Sequence, residues 1–348
     1  MPGLRRRHVL ANAALVVLSL ALALGGIELI LRMRPTLLGP VFANGVLSRY
    51  TTAEGGIYYH DSRLRMNFML PSFKTAMYYN GYRWTHETDA LGFRNPRPAG
   101  PADIVLLGDS LIYGHGVDVE HTVAHFLEQI TGRRVANLAR QGDCAFQQAY
   151  LLTEYAPVFR PRHVVYFYFE NDLVDLATYV REAEMRQFVE RPLEEIRYPP
   201  RLPLAQALRE REDSNRRRSR RLWNRSYVVK AARWLASSRP AHATPPPTRA
   251  PIDDEQSLAW RYTRKAIAYM QHVAARNGAQ LVIAPITPTN TRHFEMLRAT
   301  ATEYGLPLVD TSALARDPAN WLPGDGHFSP AGARRMAELV AARIRAPG

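Results

Sequence analysis

From residue 103 onward, apolar and polar positions alternate along the chain in a pattern that predicts an α/β fold. Short apolar runs, each long enough for a buried strand, are separated by stretches with helical spacing. The runs cover residues 103–107, 135–138, 163–169, 280–285 and 306–310. The helical stretches cover residues 124–130, 147–155, 258–276, 292–304 and 330–345. Because such alternation builds parallel sheets that are covered on both faces, we predict a parallel sheet of five strands.

The longest apolar stretch lies near the start of the chain, at residues 9–27, and contains no Asp, Glu, Lys or Arg. It is long enough to cross the roughly 30 Å hydrocarbon core of a bilayer. We predict an uncleaved signal anchor, and a secretory peptide cut near residues 21–25 is the alternative. Arg5, Arg6 and Arg7 favour a cytoplasmic N-terminus. The bulk of the chain is therefore expected outside the cytoplasm, on the periplasmic side.

These patterns divide the chain into three parts. Residues 1–34 form a cytoplasmic tip and a transmembrane anchor. Residues 35–101, which are rich in Gly, Pro, Tyr and Asn, form a lead-in of loops and short strands that could wall a cleft. Residues 102–348 form the α/β domain, which carries an insertion at about 174–256. The proline-rich residues 237–251 within it are expected to form a loop or an extended linker.

Charge and cysteine content narrow the classes of partner. The net charge is +13, and residues 209–233 hold nine Arg and one Lys against three acids. This basic run predicts binding to anionic lipid or to an acidic glycan, although a solvated helix face explains it equally well. Nucleic acid is not expected outside the cytoplasm. Cys144 is the single cysteine, and no cluster has metal-ligand spacing, so we expect no intrachain disulfide and no metal site.

Side chains that suit acyl transfer follow several of the predicted strands. Ser110 comes directly after the first strand and can act as a nucleophile if a base reaches it. His327 is the candidate base, and Asp325 would fix its tautomer and stabilise its cation. The catalytic residues predicted from the sequence are therefore Ser110, His327 and Asp325.

The negative charge that develops on the carbonyl oxygen during acyl transfer needs preorganised donors. The backbone N–H groups of Ser110 and Gly142 and the side-chain amide of Asn171 are the predicted oxyanion hole. Other roles remain open for some of these residues. Asn171 could cap the next helix, Gly142 could be a plain turn glycine, and Asp325 with His327 could form a surface turn.

These four stretches resemble the sequence blocks of the SGNH/GDSL hydrolase superfamily. The resemblance covers roughly residues 103–345 and leaves out the basic insertion. It implies a flavodoxin-like three-layer α/β/α sandwich with five parallel strands, and hydrolysis of esters without a cofactor. It also implies that Ser110 is the nucleophile, that Gly142 and Asn171 belong to the oxyanion hole, and that His327 is the base.

The chain departs from the superfamily pattern at two places. The third block usually reads Gly-x-Asn-Asp, and Phe169 stands here in place of the glycine. The acid usually precedes the histidine by three residues, whereas Asp325 precedes His327 by two. SGNH-like enzymes that move acetyl groups on polysaccharides also have Asp-x-His. The shorter spacing therefore favours acetyl chemistry on an envelope glycan over a simple esterase.

The sequence thus predicts a membrane-anchored serine esterase that cleaves acyl esters, with O-acetyl esters included, of a carbohydrate or lipid through an acyl-enzyme. An O-acetyltransferase that uses the same residues on an envelope polysaccharide is the first alternative. A non-catalytic envelope protein that binds glycans or assists assembly is the second, supported by the basic insertion and the altered third block.

Overall fold

The computed structural model describes residues 2–219, 226–237, 257–286 and 291–345. The predicted proline-rich linker lies outside these ranges from residue 238 onward. Residues 220–225 of the predicted basic run lie outside them as well. The whole lead-in and most of the α/β domain are described.

A long helix, α1 (Pro2–Met33), opens the chain. Its segment Leu10–Met33 is 24 residues long, is apolar enough to cross a membrane, and is almost entirely exposed. A membrane anchor and a signal sequence both have these properties. A short helix, α2 (Pro40–Leu47), follows, and its first residue is a proline, whose fixed φ angle suits the first helical turn.

The lead-in forms two antiparallel hairpins. β1 (Tyr58–Asp61) pairs with β2 (Met66–Met69), and β3 (Lys74–Tyr79) pairs with β4 (Tyr82–Glu87). The turn between β3 and β4 is Asn80-Gly81, whose φ angles of +46° and +93° are those that a two-residue hairpin turn requires. The hairpins pack into the same hydrophobic core as the α/β domain, through residues that include Tyr59, Met69, Met77 and Trp84.

The remaining elements follow in the order that the apolar pattern predicts. The strands are β5 (Ile104–Leu107), β6 (Val135–Asn137), β7 (His163–Phe169) and β8 (Gln280–Ile286). The helices are α3 (Ser110–Tyr113), α4 (Val123–Thr131), α5 (Ala145–Phe159), α6 (Asp172–Tyr179), α7 (Glu182–Glu190), α8 (Leu204–Ser219), α9 (Tyr227–Ser237), α10 (Leu258–Arg276), α11 (Thr291–Glu303) and α12 (Pro330–Arg345). Helices α10 and α12 begin and end at the predicted residues.

Within the described residues the central sheet has four parallel strands in the order β6-β5-β7-β8. The side chains of β5 are fully buried, as expected for a central strand that is covered on both faces. Helices α4 and α12 pack against each other, and α5 packs against α10. The predicted three-layer α/β/α fold with a parallel sheet is confirmed.

The predicted fifth strand, at residues 306–310, is reduced to a single bridge. Leu308 pairs in parallel with Ile283 of β8. The N–H of Ile283 donates to the carbonyl of Pro307, and the N–H of Val309 donates to the carbonyl of Ile283. Because Pro307 has no N–H, it cannot donate to the ladder. The described sheet therefore has four strands where the sequence predicted five.

The described parts of the insertion are largely helical, and hydrogen bonds from α8 and α9 are among the contacts that hold them to the rest of the chain. The Glu28 carboxylate of α1 accepts hydrogen bonds from the N–H groups of Tyr227 (3.0 Å) and Val228 (2.9 Å), at the start of α9. The Arg211 guanidinium of α8 donates to backbone carbonyls of the lead-in, those of Tyr58, Ala53 and Gly56. Part of the basic run is therefore used to hold the fold together.

Candidate active site

The order of the strands brings the sequence-predicted site residues to one edge of the sheet. Ser110 follows β5, Gly142 follows β6 and Asn171 follows β7, and β5 lies between the other two strands. Because the strands are parallel, all three residues lie beyond their carboxyl ends. This is the edge at which open α/β sheets bind their ligands.

Ser110 is the first residue of α3. The Asp109 side chain caps this helix and accepts a hydrogen bond of 3.0 Å from the N–H of Leu111. At the first position of a helix the backbone N–H has no acceptor within the helix, so that of Ser110 can serve a ligand. The Arg94 guanidinium holds the end of α3, because it donates to the carbonyl of Gly114 at 2.7 Å.

Asp325 and His327 lie on a tight loop that precedes α12. Trp321 and Phe328 form an antiparallel bridge, and the N–H of Leu322 donates to the carbonyl of His327 at 2.7 Å. Gly326, between the two predicted catalytic residues, has a φ angle of +81°. This left-handed conformation is costly for residues with a side chain, so a glycine suits this position between Asp325 and His327.

The Ser110 hydroxyl, the His327 imidazole and the Asp325 carboxylate form a continuous chain of hydrogen bonds. His327 Nε2 is 2.8 Å from Ser110 Oγ, and His327 Nδ1 is hydrogen-bonded to Asp325 Oδ1. The Asp325 side chain is fully buried, and that of His327 is 19% exposed. A base in contact with a hydroxyl and oriented by a carboxylate is the arrangement that activates a serine for attack.

Gly142 lies in a loop that is held by a buried ion pair. The Arg140 guanidinium binds both carboxylate oxygens of Asp143, at 2.7 and 3.1 Å, and also donates to the carbonyl of Asn67. Gly142 has a φ angle of +70°, and a Cβ atom there would lie 3.3 Å from the Tyr179 hydroxyl. A side chain at this position would therefore be strained and would crowd the Tyr179 hydroxyl.

Asn171 occupies the N-cap position of α6, but its side chain makes no capping hydrogen bond. Its amide Nδ2 donates to the Asp175 carboxylate at 3.0 Å. An amide nitrogen has two N–H groups, so one of them remains for another acceptor. The side chain is exposed, in contrast to its neighbour Asp172, which is buried. Asn171 can thus reach a ligand at the sheet edge.

His115 is a neighbour of the site that sequence reasoning missed. Its ring stacks on that of His327 with centroids 3.9 Å apart and an angle of 16° between planes. Its Nδ1 is 3.0 Å from the Tyr50 hydroxyl. Burial, together with the nearby His327, lowers the pKa of His115 to about 3, so the ring is neutral at neutral pH. It supports the face of His327 without adding a positive charge.

The ligand atoms of His115, Asp325 and His327 lie within 4.8 Å of one another, as in some metal sites. Two observations make the cluster a poor fit for a metal ion. The stacked rings are nearly parallel, so the lone pairs in their planes do not converge on one point. Both ring nitrogens of His327 are also engaged in hydrogen bonds. The cluster fits a hydrogen-bond network better than a metal centre.

Asn80 is the second residue that sequence reasoning missed. Its Nδ2 donates to Asp325 Oδ2 at 2.8 Å, although the two residues are 245 positions apart. The sequence did contain a signal for the turn that carries it, because Asn-Gly between stretches of β-forming residues predicts a tight hairpin. Nothing in that signal indicates what the turn contacts.

An α/β sheet with a serine, a histidine and an acid at its carboxyl edge is a framework suited to ester hydrolysis. A family model for the GDSL-like lipase/acylhydrolase domain matches residues 104–340. The chain belongs to this family and is an ester-hydrolysing enzyme. The predicted family and enzyme class are thereby confirmed.

Solved structures of similar proteins are also found. TesA is 14% identical, with a TM-score of 0.39, and the match covers 70% of this chain and 97% of TesA. The family 3 carbohydrate esterase of Clostridium thermocellum is 12% identical, with a TM-score of 0.39 and coverages of 70% and 96%. The lipase/acylhydrolase of Enterococcus faecalis is 14% identical, with a TM-score of 0.38 and coverages of 70% and 94%. No curated protein matches the chain.

Proposed function

We propose that this protein is a serine esterase in which Ser110 is the nucleophile, His327 the general base and Asp325 the residue that orients the base. The observation that carries the proposal is the 2.8 Å contact between His327 Nε2 and Ser110 Oγ, with Asp325 on the other ring nitrogen. A stray surface histidine would not be held between a strand-end hydroxyl and a buried carboxylate.

The reaction begins when Ser110 Oγ attacks the ester carbonyl and His327 takes the hydroxyl proton. The N–H groups of Ser110 and Gly142 and the Asn171 amide stabilise the oxyanion of the tetrahedral intermediate. Losing one such donor typically costs about 3–4 kcal/mol of transition-state stabilisation. His327 then returns the proton to the leaving alcohol, and an acyl-enzyme remains. Water, deprotonated by His327, attacks the acyl group and releases the acid.

The substrate class we propose is an acyl ester, O-acetyl included, of a carbohydrate or lipid outside the cytoplasm. The helical segment Leu10–Met33 supports attachment to a membrane, since it is long, apolar and exposed. The preceding arginines support a cytoplasmic N-terminus. A reporter that is active only outside the cytoplasm, fused to the C-terminus, tests this topology. An inactive reporter on an expressed fusion would contradict it.

The basic residues 209–233 are proposed to contact anionic lipid near the anchor. The attachment of α9 to Glu28 of α1 supports this, because it keeps the start of α9 beside the end of the apolar segment. Arg211 is not part of the lipid contact, since its guanidinium binds lead-in carbonyls. Replacing Arg216, Arg217 and Arg218 with Gln should weaken salt-sensitive binding to anionic liposomes. Unchanged binding would count against the proposal.

The central test uses a fluorophosphonate probe, which labels activated serines. The protein should be labelled and should hydrolyse short acyl esters, and Ser110→Ala should abolish both. Ser62→Ala, which alters an exposed serine of the lead-in, is the matched control and should change neither. Labelling that persists in Ser110→Ala would overturn the assignment of the nucleophile.

A second measurement separates hydrolysis from transfer. Acetyl ester release should proceed without any acceptor glycan, because water completes the reaction of an esterase. If acetyl groups move to an added glycan much faster than to water, the protein is an acetyltransferase that uses the same residues. Absence of both reactions together with absence of labelling would favour a non-catalytic envelope protein.

A further inference from the structure

The turn of the β3–β4 hairpin contacts the loop that carries the predicted catalytic acid. Asn80 Nδ2 donates to Asp325 Oδ2 at 2.8 Å, and the other oxygen, Oδ1, is bonded to His327. The hydroxyl of Tyr82 donates to the carbonyl of Pro323 at 2.8 Å. The lead-in therefore binds the loop of Asp325 through two hydrogen bonds, one to the Asp325 side chain and one to the backbone of Pro323.

The amide of Asn80 is held in one orientation by α2. Asn44 Nδ2 donates to Asn80 Oδ1 at 2.6 Å, and the Asn80 backbone N–H donates to Asn44 Oδ1 at 2.8 Å. Because the Asn80 oxygen is occupied by a donor, its NH₂ group is the end that faces Asp325. A flipped amide would place an oxygen against the carboxylate and would lose both side-chain hydrogen bonds.

The electrostatic character of this contact suits a base that becomes charged during the reaction. Burial acts to raise the pKa of Asp325, but the hydrogen bonds from His327 and Asn80 outweigh it and hold the pKa below its ordinary value. Asn80 is neutral, so it stabilises the ionised carboxylate without cancelling the negative charge that the imidazolium needs. A lysine or arginine at this position would cancel that charge.

We propose that Asn80 is a positioning residue that fixes the carboxylate of Asp325 against His327, and that the lead-in thereby completes the active site. This inference rests on the proposed function. The hydrogen bond from Asn80 to Asp325 Oδ2 restricts rotation of the carboxylate, and it comes from outside the residues that the family model matches.

Asn80→Gly is the primary variant, because glycine tolerates the positive φ angle of this turn and removes only the amide. We expect kcat to fall about ten- to a hundredfold, the range for losing a hydrogen bond to a charged group, with KM changed less than about twofold. The rate of fluorophosphonate labelling of Ser110 should fall by a similar factor.

The matched control is Glu87→Gln, at the open end of the same hairpin. Glu87 is exposed and pairs with Lys74, far along the hairpin from the Asn80 turn. Its replacement perturbs the hairpin without touching the acid's loop, and kcat should stay within about twofold of the wild-type value. Equal losses in the two variants would show that hairpin integrity, rather than the Asn80 amide, supports activity.

Asn80→Asp provides a readout that a merely structural role would not change. The added carboxylate would favour the protonated form of His327, so the acidic limb of the kcat/KM profile should move to higher pH. The titratable groups that already face this imidazole are Asp325, His115 and Asp109. An unshifted profile would show that residue 80 does not act on the acid and base.

Asn44→Asp tests the orientation of the amide from a second site. An aspartate can accept the Asn80 N–H but cannot donate to Asn80 Oδ1, so the amide is no longer fixed. Activity should fall, though less than in Asn80→Gly, and the double variant should be no worse than Asn80→Gly alone. If the losses of activity in the two single variants add in the double variant, Asn44 does not act through Asn80.

The two proposals fail in different ways. If Ser110→Ala abolishes labelling and hydrolysis but Asn80→Gly retains wild-type kcat and a folded thermal transition, only the positioning role is wrong. If Ser110→Ala leaves both unchanged, the proposed function is wrong. A drop in kcat for Asn80→Gly with an unchanged melting temperature supports both.

Discussion

The family domain (residues 104–340) and the lead-in both contribute to the candidate site, but their buried arginines bind different kinds of group. In the family domain the loop of Gly142 is fixed by a buried ion pair between Arg140 and Asp143. In the lead-in, the buried Arg94 has no carboxylate partner within the described residues and donates instead to the carbonyls of Thr85, Tyr113, Gly114 and Val117. The buried arginine of the family domain thus pairs with a carboxylate, whereas the buried arginine of the lead-in binds backbone carbonyls.

This difference indicates that the two regions have different roles at the candidate site. The family domain supplies the groups proposed to react, Ser110 and His327 among them. The lead-in supplies groups that hold those residues in place, through Arg94 on the end of α3 and Asn80 on Asp325. A sequence match that begins at residue 104 therefore omits part of what we propose to be the working site.

The strongest test of the comparison is Arg140→Ala. Removing the guanidinium leaves the Asp143 carboxylate buried and unpaired, and burial already raises the pKa of Asp143 to about 6. We expect the free energy of unfolding to fall by about 3–5 kcal/mol, measured by urea denaturation. Arg140→Met combined with Asp143→Leu should recover most of the loss, because no lone charge remains. A double variant as unstable as the single one would contradict the ion-pair account.

Two buried groups, one in each region, should also respond to acid in opposite directions. Burial lowers the pKa of His86, in β4, to about 3, whereas burial raises the pKa of Asp109 to about 6. The folded state binds fewer protons than the unfolded state at His86, so its contribution to stability is lost as the pH falls below about 6.5. At Asp109 the folded state binds more protons, so its contribution is lost as the pH rises through 6.

His86→Gln should therefore flatten the loss of stability on acidification. Between pH 6.5 and pH 5 the wild-type histidine should account for about 2 kcal/mol of that loss, by the usual 1.36 kcal/mol for each pH unit. Urea midpoints at a series of pH values measure the difference. His60→Gln, at an exposed position, is the control and should leave the slope as it is. An unchanged slope in His86→Gln would rule out His86 as the source.

How far the sequence predicts this molecule depends on whether a feature is local. Helices α10 and α12 match their predicted bounds because their apolar positions recur with helical spacing over many residues. The sequence predicted a full strand at residues 306–310, but only a single bridge forms there, because Pro307 interrupts the ladder. The bond from Asn80 to Asp325 was beyond prediction, because it depends on how a hairpin packs against a loop 245 residues away.

The same reasoning applies to the predicted site. Ser110, Gly142 and Asn171 follow strands that apolar runs identify, and parallel strands bring their carboxyl ends to one edge. The acid could be proposed from its closeness to His327 in the chain. The hydrogen bond from Asn80 to Asp325 could not be predicted from the sequence, and the stacking of His115 on His327 could not be predicted either. Both contacts form only when separate elements pack together.

A smaller effect is expected from substituting glycines in the loop of Asp325 and His327 and at the end of α4. Gly326 and Gly132 both have positive φ angles, +81° and +65°, and a Cβ atom would meet nothing within 4 Å at either. Gly326→Ala and Gly132→Ala should therefore each cost about 1–2 kcal/mol of stability by backbone strain alone. Only Gly326→Ala should also lower kcat, because Gly326 lies between Asp325 and His327. Thermal melts and ester hydrolysis assays separate the two effects.

The smallest expected effect concerns the open end of the β3–β4 hairpin. Lys74 and Glu87 form an ion pair of 2.6 Å, and their side chains are 66% and 61% exposed. Water and salt screen such pairs, so a double-mutant cycle with Lys74→Ala and Glu87→Ala should give a coupling of about 0–1 kcal/mol that weakens as salt is added. A coupling above about 2 kcal/mol would mean that the far end also fastens the hairpin. A small coupling would show that the far end of the hairpin adds little, in contrast to the Asn80 turn, which contacts Asp325 directly.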